Sequence, residues 1–381
     1  MNRVVLNESS YFGRGSRKKL IDELIDRQYK KAFIVTDTGI IKSGVLKETT
    51  DILDNIKFHY DIYSEVKPNP TVENVVKGVY AFKNSEADVI IAVGGGSTID
   101  TSKAISIISK NPEHIDVVSL DGAKTKNKGT PIIAIPTTSG TAAEVTMNYV
   151  ITDTNRKKKM VIVDTHSIPI VSIIDGELME KMPKNLAAWT GMDALTHAME
   201  GYLNKNAWIM TDMYHLNAMA LITKNLENAV LKKDKEAIDS VALGQYIAGM
   251  GFSNSGLGIV HSMAHALGAV YDTPHGLANA MLLPYVMKYN GYVCPDLFRN
   301  MGRAMGMDMK ELRDKDAVNK VVEKVYLMAR HLEIPKTLRE IGVKEEDIPL
   351  LAQKAYDDVC TPGNVRKASV EDIERLYKEM Y

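Results

Sequence analysis

The sequence predicts an α/β plus all-α protein, and three observations carry that expectation. Up to about residue 180, short β-branched runs alternate with amphipathic stretches, the rhythm of a mostly parallel sheet covered on both faces. From Pro183 onward the pattern changes to long Ala-, Leu- and Met-rich stretches at helical spacing, with no clear strand among them. The chain of 381 residues has the length of about two ordinary domains. The pattern change places the boundary within residues 176–184 and divides the chain into 1–180 and 181–381.

The stretch Arg3–Gly15 alternates polar with apolar or aromatic residues and reads as a hairpin at a sheet edge. Ala32–Thr36, Val89–Val93, Ile132–Ile135, Met160–Val163 and Ile170–Ile174 are short, β-branched and uncharged, as buried strands are. Between them Lys18–Arg27, Val45–Asn55, Val72–Lys83 and Thr98–Ser109 carry the periodicity of helices. Asn185–Leu203, Asp212–Leu231, Ala237–Met250 and Lys315–His331 are the long helices of the second half. No internal repeat or low-complexity linker interrupts them.

Composition excludes several functions. Lysine and arginine total 47 against 48 acids, a net charge of −1, so no global field draws the chain to nucleic acid or an anionic membrane. No apolar run approaches the ~18–20 residues of a membrane span, and Met1 leads into charged and polar residues rather than a signal core. The expected location is the cytoplasm. Two cysteines, Cys294 and Cys360, rule out a disulfide framework or a Cys-rich metal site. Any metal must therefore be held by histidine and carboxylate. Five of the nine histidines, His197, His215, His261, His265 and His275, fall in the second half within one stretch.

The run Val89–Asp100 reads as a buried strand that ends in Gly94, Gly95 and Gly96 and opens a helix, with Ser97 as its N-cap. Glycines let backbone approach a ligand, and the free N–H groups of a new helix face an anion, so a pyrophosphate is the expected guest. Ile99 stands where the dinucleotide fingerprint has its third glycine, and the plain alternative is a tight capped turn. A second loop, Pro136–Glu144, follows another strand and offers Thr137, Thr138, Ser139 and Thr141 at an expected helix start. Asp37 ends the first strand, where a carboxylate accepts from ribose hydroxyls and repels a 2′-phosphate.

Asp193 and His197 are four residues apart in a helical stretch and leave the same face one turn apart. His261 and His265 repeat that spacing, and His275 follows. One carboxylate with three imidazoles is an N/O set for Fe²⁺, Mn²⁺ or Zn²⁺ with positions left for water or substrate. Each histidine alone reads as a buried structural residue; together they point to metal, and spacing leaves open which of His197, His261, His265 and His275 join Asp193. His215, His59, His114, His166 and His331 have no such constellation and read as structural.

These residues together, Gly94–Asp100, Pro136–Thr141, Asp193 with His197, His261 with His265, and His275-Gly276, resemble the iron-containing (group III) alcohol dehydrogenases. The resemblance covers essentially the whole chain and includes Gly244–Asn254. It implies a dinucleotide-binding α/β domain similar to that of dehydroquinate synthase, a helical metal domain, and an active site in the cleft between them. It implies Asp193, His197, His261 and His275 as ligands of Fe²⁺, with Zn²⁺ as a substitute, and His265 as a proton-relay or positioning residue. The NAD contacts it implies are Asp37, Asn69, Gly95, Gly96, Thr137, Thr141, Asn148 and Lys159, alongside Ser97 and Thr138 of the same loops. Asp37 makes the implied cofactor NAD rather than NADP, and Lys159 ends the run Arg156–Lys159, whose other members read as a solvated turn. Phe252, in an expected Gly251–Asn254 turn, is the implied substrate-pocket wall.

The activity implied is NAD-dependent interconversion of lactaldehyde and 1,2-propanediol by a homodimer that pairs along the N-terminal segment. The alternatives are a family member acting on 1,3-propanediol, ethanol or butanol, a lyase that keeps NAD bound, and a non-catalytic NAD- and metal-binding protein. An open metal site beside a dinucleotide cradle argues against the last.

Overall fold

Valine and isoleucine runs build a six-stranded sheet in the first of two units, which ends at Met182; the second runs from Pro183 to Tyr381. The structure, a computed structural model, describes residues 2–381.

In chain order the first unit contains β1 (Ser9–Phe12), α1 (Leu20–Asp26), β2 (Lys31–Asp37), α2 (Thr38–Lys42), α3 (Val45–Asn55), β3 (His59–Val66), α4 (Val72–Ser85), β4 (Val89–Gly94) and α5 (Gly96–Lys110). It continues through β5 (Ile132–Pro136), β6 (Asn148–Asp153), β7 (Lys158–Val163), β8 (Val171–Ile174) and α6 (Gly176–Met179). The main sheet has the order β1-β8-β5-β4-β2-β3, and every pairing is parallel. Strand alternation sends Phe33, Val35, Ile90, Ala92, Ile132 and Ala134 to one core with α4 and α5. Ala32, Ile34, Val89, Ile91, Val93, Ile133 and Ile135 go to the other face, under α1 and α3. Burial on both faces is why these strands read as continuous apolar runs.

Chain order reverses at the sheet between β2 and β4: β2 leads outward to β3, whereas β4 leads the other way to β5. Strand carboxyl ends at such a switch point open a crevice, and here they carry Asp37 and Gly94.

Four expectations are corrected in this unit. Arg3–Gly15 holds one strand, β1, paired parallel with β8 at the sheet edge, and makes no hairpin among the described residues. Met160–Val163 belongs to a separate antiparallel pair, β6 with β7, because Asn148–Asp153 supplies it a nearer partner than the main sheet does. The loop after β5 opens no helix; residues 137–147 run through turns to β6. Of the basic run, Arg156 and Lys157 form the turn while Lys158 is already in β7.

The second unit has no strand among the described residues. Its helices are α7 (Lys184–Leu203), α8 (Ile209–Leu231), α9 (Lys235–Ser255), α10 (Ile259–Tyr271), α11 (His275–Gly291), α12 (Pro295–Ala304), α13 (Asp314–His331), α14 (Ile348–Tyr356) and α15 (Val370–Glu379). Three of them meet at His215 of α8. A Cβ on Gly201 of α7 would stand 2.2 Å, and one on Gly251 of α9 2.3 Å, from its imidazole, so both positions require glycine. Phe252, expected in a turn, lies inside α9, whose last turn runs on to Ser255.

Candidate functional site

In the first unit, β4 delivers its glycines directly into α5. Gly95 is the N-cap, so the helix begins at Gly96 and Ser97 lies in its first turn rather than capping it. Thr98 N–H and Ile99 N–H already bond back to Gly95 O, while the N–H groups before them are the ones a helix start leaves for a ligand. The second loop packs against this turn. A Cβ on Gly95 would lie 3.2 Å from the Thr138 side chain, and one on Gly96 2.7 Å from Thr141. Thr137 N–H donates to Gly94 O at 3.0 Å, and the buried Thr137 hydroxyl has no partner among the described residues. Asp37 Oδ1 caps α2 by accepting from Ile40 N–H at 2.9 Å, while Oδ2 accepts from Thr98 Oγ1 at 3.4 Å. Asp37, Gly95, Gly96, Ser97, Thr137, Thr138 and Thr141 are thereby gathered at the ends of β2, β4 and β5.

Asn69 and Lys159 meet at one side of the β6–β7 pair, where Lys159 Nζ donates to Asn69 Oδ1 at 2.7 Å. Asn148 opens β6 and is tied to α5 by a buried lysine that sequence reasoning passed over. Lys103 Nζ donates to Asn148 O at 2.8 Å and Thr146 O at 2.7 Å. Burial pulls the Lys103 amine down and pushes its neighbour Asp100 up, and the attraction between them opposes both shifts. Asp100 in turn accepts from Val150 N–H at 2.9 Å, so the glycine-rich turn and the hairpin are one braced framework.

In the second unit, α7 presents Asp193, His197 and Glu200 on one face, at i, i+4 and i+7. Helix α10 presents His261 and His265, and α11 opens with His275. Asp193, His197, His261 and His275 converge: each offers a ligand atom within 4.8 Å of all the others. Nε2 of His261 and Nε2 of His275 lie 3.9 and 3.7 Å from Asp193 Oδ1. Asp193, His197 and His261 are buried, whereas the His275 side chain is 27% exposed, so the cluster opens toward His275.

Whether these residues fit a cation is answered by Asn279, one turn beyond His275. Its Nδ2 faces Asp193 Oδ1 at 2.6 Å, His275 Nε2 at 3.1 Å and His261 Nε2 at 3.2 Å, while its own buried Oδ1 has no partner among the described residues. Three acceptors aimed at a single donor mark a place built for positive charge. Burial and the neighbouring imidazoles hold His261 well below its ordinary range, which keeps its nitrogens available as ligands. Burial pushes Asp193 up, and His197 together with the Asn279 hydrogen bond opposes it. A divalent ion would remove both penalties, and an all-N/O donor set of this kind suits Fe²⁺ or Zn²⁺.

His265 is placed differently. Its ring stacks on His275 at 5.4 Å, but its Nδ1 is 2.9 Å from Asp358 Oδ2, which draws it out of the four-residue group. Burial pushes Asp358 up, and the charge and hydrogen bond of His265 with the Cys360 N–H outweigh it and hold the carboxyl below its usual range. Phe252 is 4% exposed and stacks on His197, ring centres 4.2 Å apart and planes 12° from parallel. His215 lies outside the cluster and donates to or accepts from Ser255 Oγ at 3.2 Å.

Sequence reasoning missed Glu200, Asn279 and Asp358. Glu200 accepts from His261 Nδ1 at 2.7 Å; burial pushes its carboxyl up to about 7 against the pull of three backbone N–H groups. The i+7 spacing from Asp193 signalled Glu200, and i+4 from His275 signalled Asn279. Nothing in the local pattern signalled Asp358, which lies 93 residues from its partner.

Comparison with known proteins agrees with this geometry. Residues 7–176 match the model of the iron-containing alcohol dehydrogenases, and residues 187–381 match the model of the C-terminal part of the Fe-containing alcohol dehydrogenase family. The chain is 52% identical over 377 residues to lactaldehyde reductase of Escherichia coli K12, covering 99% of this chain and 98% of that one. It is 37% identical over 380 residues to the NAD-dependent methanol dehydrogenase of Bacillus methanolicus, covering 99% of each. A crystal structure of 1,3-propanediol oxidoreductase superposes with a TM-score of 0.96 at 38% identity and covers the whole of both chains. With its glycine-rich turn, its Asp and three-His cluster and these full-length likenesses, the chain belongs to the iron-containing alcohol dehydrogenase family.

Proposed function

We propose that this protein is an NAD- and Fe²⁺-dependent alcohol dehydrogenase that interconverts lactaldehyde and 1,2-propanediol. The observation that carries the proposal is the convergence of Asp193, His197, His261 and His275 on the place marked by the Asn279 amide. The full-length likeness to lactaldehyde reductase supports the choice of substrate.

The four converging residues would hold the ion, with Zn²⁺ able to replace Fe²⁺. Gly95, Gly96, Ser97, Thr137, Thr138 and Thr141 would hold the cofactor phosphates through backbone and hydroxyl donors. Asp37 would accept from the ribose hydroxyls, and its charge would turn away a 2′-phosphate. Asn69, Asn148 and Lys159 would complete the cofactor contacts, and Phe252 would wall the substrate. When bound, the metal supplies Lewis acidity at the substrate oxygen and NADH supplies the hydride. His265 would carry the proton: Asp358 occupies its Nδ1, so Nε2 is the nitrogen free to exchange a proton with the product oxygen.

A homodimer along β1 belongs to the same proposal. Its support is that β1 is one of the two edge strands of the sheet and that Phe12 is 45% exposed on it. No helix among the described residues is long and apolar enough to cross a membrane, and the proposed setting is the cytoplasm.

NADH oxidation by the iron-loaded enzyme, compared across lactaldehyde, 3-hydroxypropanal and butanal, tests the substrate. Lactaldehyde should give the highest kcat/KM. A preference for either of the others would move the enzyme to a neighbouring activity of the family, and binding of NADH and metal without turnover would end the dehydrogenase proposal.

A further inference from the structure

Glu200 is a carboxylate with no place among the proposed metal ligands, yet it is 2% exposed and surrounded by donors. It lies one turn beyond His197 on α7 and reaches the first turn of α10, where a helix leaves its N–H groups without internal partners. Val260 N–H donates to Oε1 at 2.7 Å. Gly258 N–H at 3.1 Å and His261 N–H at 3.2 Å donate to Oε2. The His261 Nδ1 sits on that same oxygen at 2.7 Å.

Backbone N–H groups can only donate, so both oxygens of Glu200 are committed as acceptors and His261 Nδ1 is left to carry the imidazole proton. The lone pair of His261 is then on Nε2. That atom is the one beside Asp193 Oδ1, at 3.9 Å, and the Asn279 amide, at 3.2 Å. The approach is built into the backbone: a Cβ on residue 258 would stand 2.8 Å from Glu200 Oε1, so only glycine there lets the carboxylate seat.

We infer that Glu200 is a positioning residue of the metal centre, which locks His261 in the Nδ1-protonated tautomer and so aims Nε2 at the ion. The inference rests on the proposed metal role of Asp193, His197, His261 and His275. A carboxylate behind a ligating imidazole fixes the ring and strengthens it as a donor, and loss of such a partner costs about 10–100-fold in metal affinity.

The test is a zinc titration of the metal-free protein against a chromophoric chelator, with ¹⁵N imidazole spectra of the zinc-loaded form. In the wild type, His261 should carry its proton on Nδ1. In Glu200→Gln the amide oxygen takes the place of Oε2, where three donors point, and the NH₂ is set against Val260 N–H, so the negative charge behind His261 is lost and the seat is disturbed; zinc affinity should fall about 10–100-fold. Glu200→Asp should recover part of that loss. Asn364→Ala is the structural control, because Asn364 Oδ1 accepts from Ile259 N–H of the same turn at 3.4 Å without facing His261. It should lower the thermal midpoint and leave zinc affinity nearly unchanged.

Wild-type affinity in Glu200→Gln, equal weakening in Asn364→Ala, or a wild-type His261 protonated on Nε2 would each overturn the inference. Should Glu200→Gln fail to fold, the wild-type spectrum decides alone. A wild type that binds no zinc would instead remove the metal centre itself.

Discussion

His265 Nδ1 lies 2.9 Å from Asp358 Oδ2, and this one contact separates His265 from the three histidines that gather around Asp193. The Asp358 carboxylate is itself fixed, accepting from Cys360 N–H at 2.9 Å and from Ser262 Oγ at 3.3 Å. The imidazole is therefore oriented by a braced acid, as a proton-transfer group needs to be.

It follows that His265→Ala should lower kcat by about a hundredfold or more while leaving the metal content intact. Asp358→Asn should act in the same direction and more weakly, since it disturbs only the orientation of the ring. Steady-state kinetics alongside metal analysis of the same samples checks both. Unchanged turnover in His265→Ala would remove it from the chemistry, and loss of metal would make it a ligand.

His261→Ala should behave in the opposite way. Removing a buried nitrogen from a four-residue set should weaken metal binding by more than the roughly 10–100-fold typical of an outer partner. Equilibrium dialysis against Zn²⁺ reads the effect directly. Retention of wild-type affinity would mean that His265 replaces it, which the hold of Asp358 on His265 argues against.

Asp37 caps α2, and the proposed ribose contact would give it a second duty that one substitution tests alongside the first. Asp37→Gly should raise kcat/KM with NADPH by about tenfold or more, because the charge facing a 2′-phosphate is gone. It should also cost roughly a few tenths of a kcal/mol of stability, because α2 loses its side-chain cap and glycine replaces it only in part. Parallel kinetics with NADH and NADPH and urea unfolding measure the two effects. A change in stability without a change in cofactor preference would reduce Asp37 to a capping residue.

His215 predicts a pH dependence of stability. Burial first, and the His197 charge second, lower it from 6.5 to about 3. As pH falls below 6.5 the unfolded chain takes up a proton that the folded chain refuses. The contribution of His215 is thus complete above 6.5 and is lost progressively as pH falls toward 3. His215→Phe should flatten the fall in unfolding free energy between those limits. An unchanged slope would assign the acid sensitivity of this unit to other groups.

Much of this was written in the sequence, for identifiable reasons. Strands β2, β4, β5 and β8 are buried on both faces and so announce themselves as apolar runs, and α7, α8, α9 and α13 are long enough for periodicity to speak. Strand β3 was illegible because it is an edge strand, at the end of the sheet opposite β1, and His59, Asp61 and Glu65 break its apolar pattern. Strand β6 was missed for a related reason: its alternating burial is that of a two-stranded pair. In the metal cluster, helical spacing revealed the pairs Asp193 with His197 and His261 with His265. Spacing alone did not choose His275 over His265; the family resemblance made that choice, and its physical reason, the contact with Asp358 on a distant segment, is visible only in the tertiary structure. Glu200 and Asn279 were legible in principle, each one or two turns from a marked residue, but neither is a residue type that spacing alone selects.

The most direct test of the central claim is anaerobic purification, metal analysis, and NADH oxidation with lactaldehyde before and after Fe²⁺ is added to the metal-free enzyme. The structure predicts one divalent ion per chain at the Asp193, His197, His261 and His275 cluster, and activity that rises in proportion to bound iron. Full activity in protein stripped of metal, or iron bound at this cluster without oxidation of NADH by any aldehyde, would contradict it.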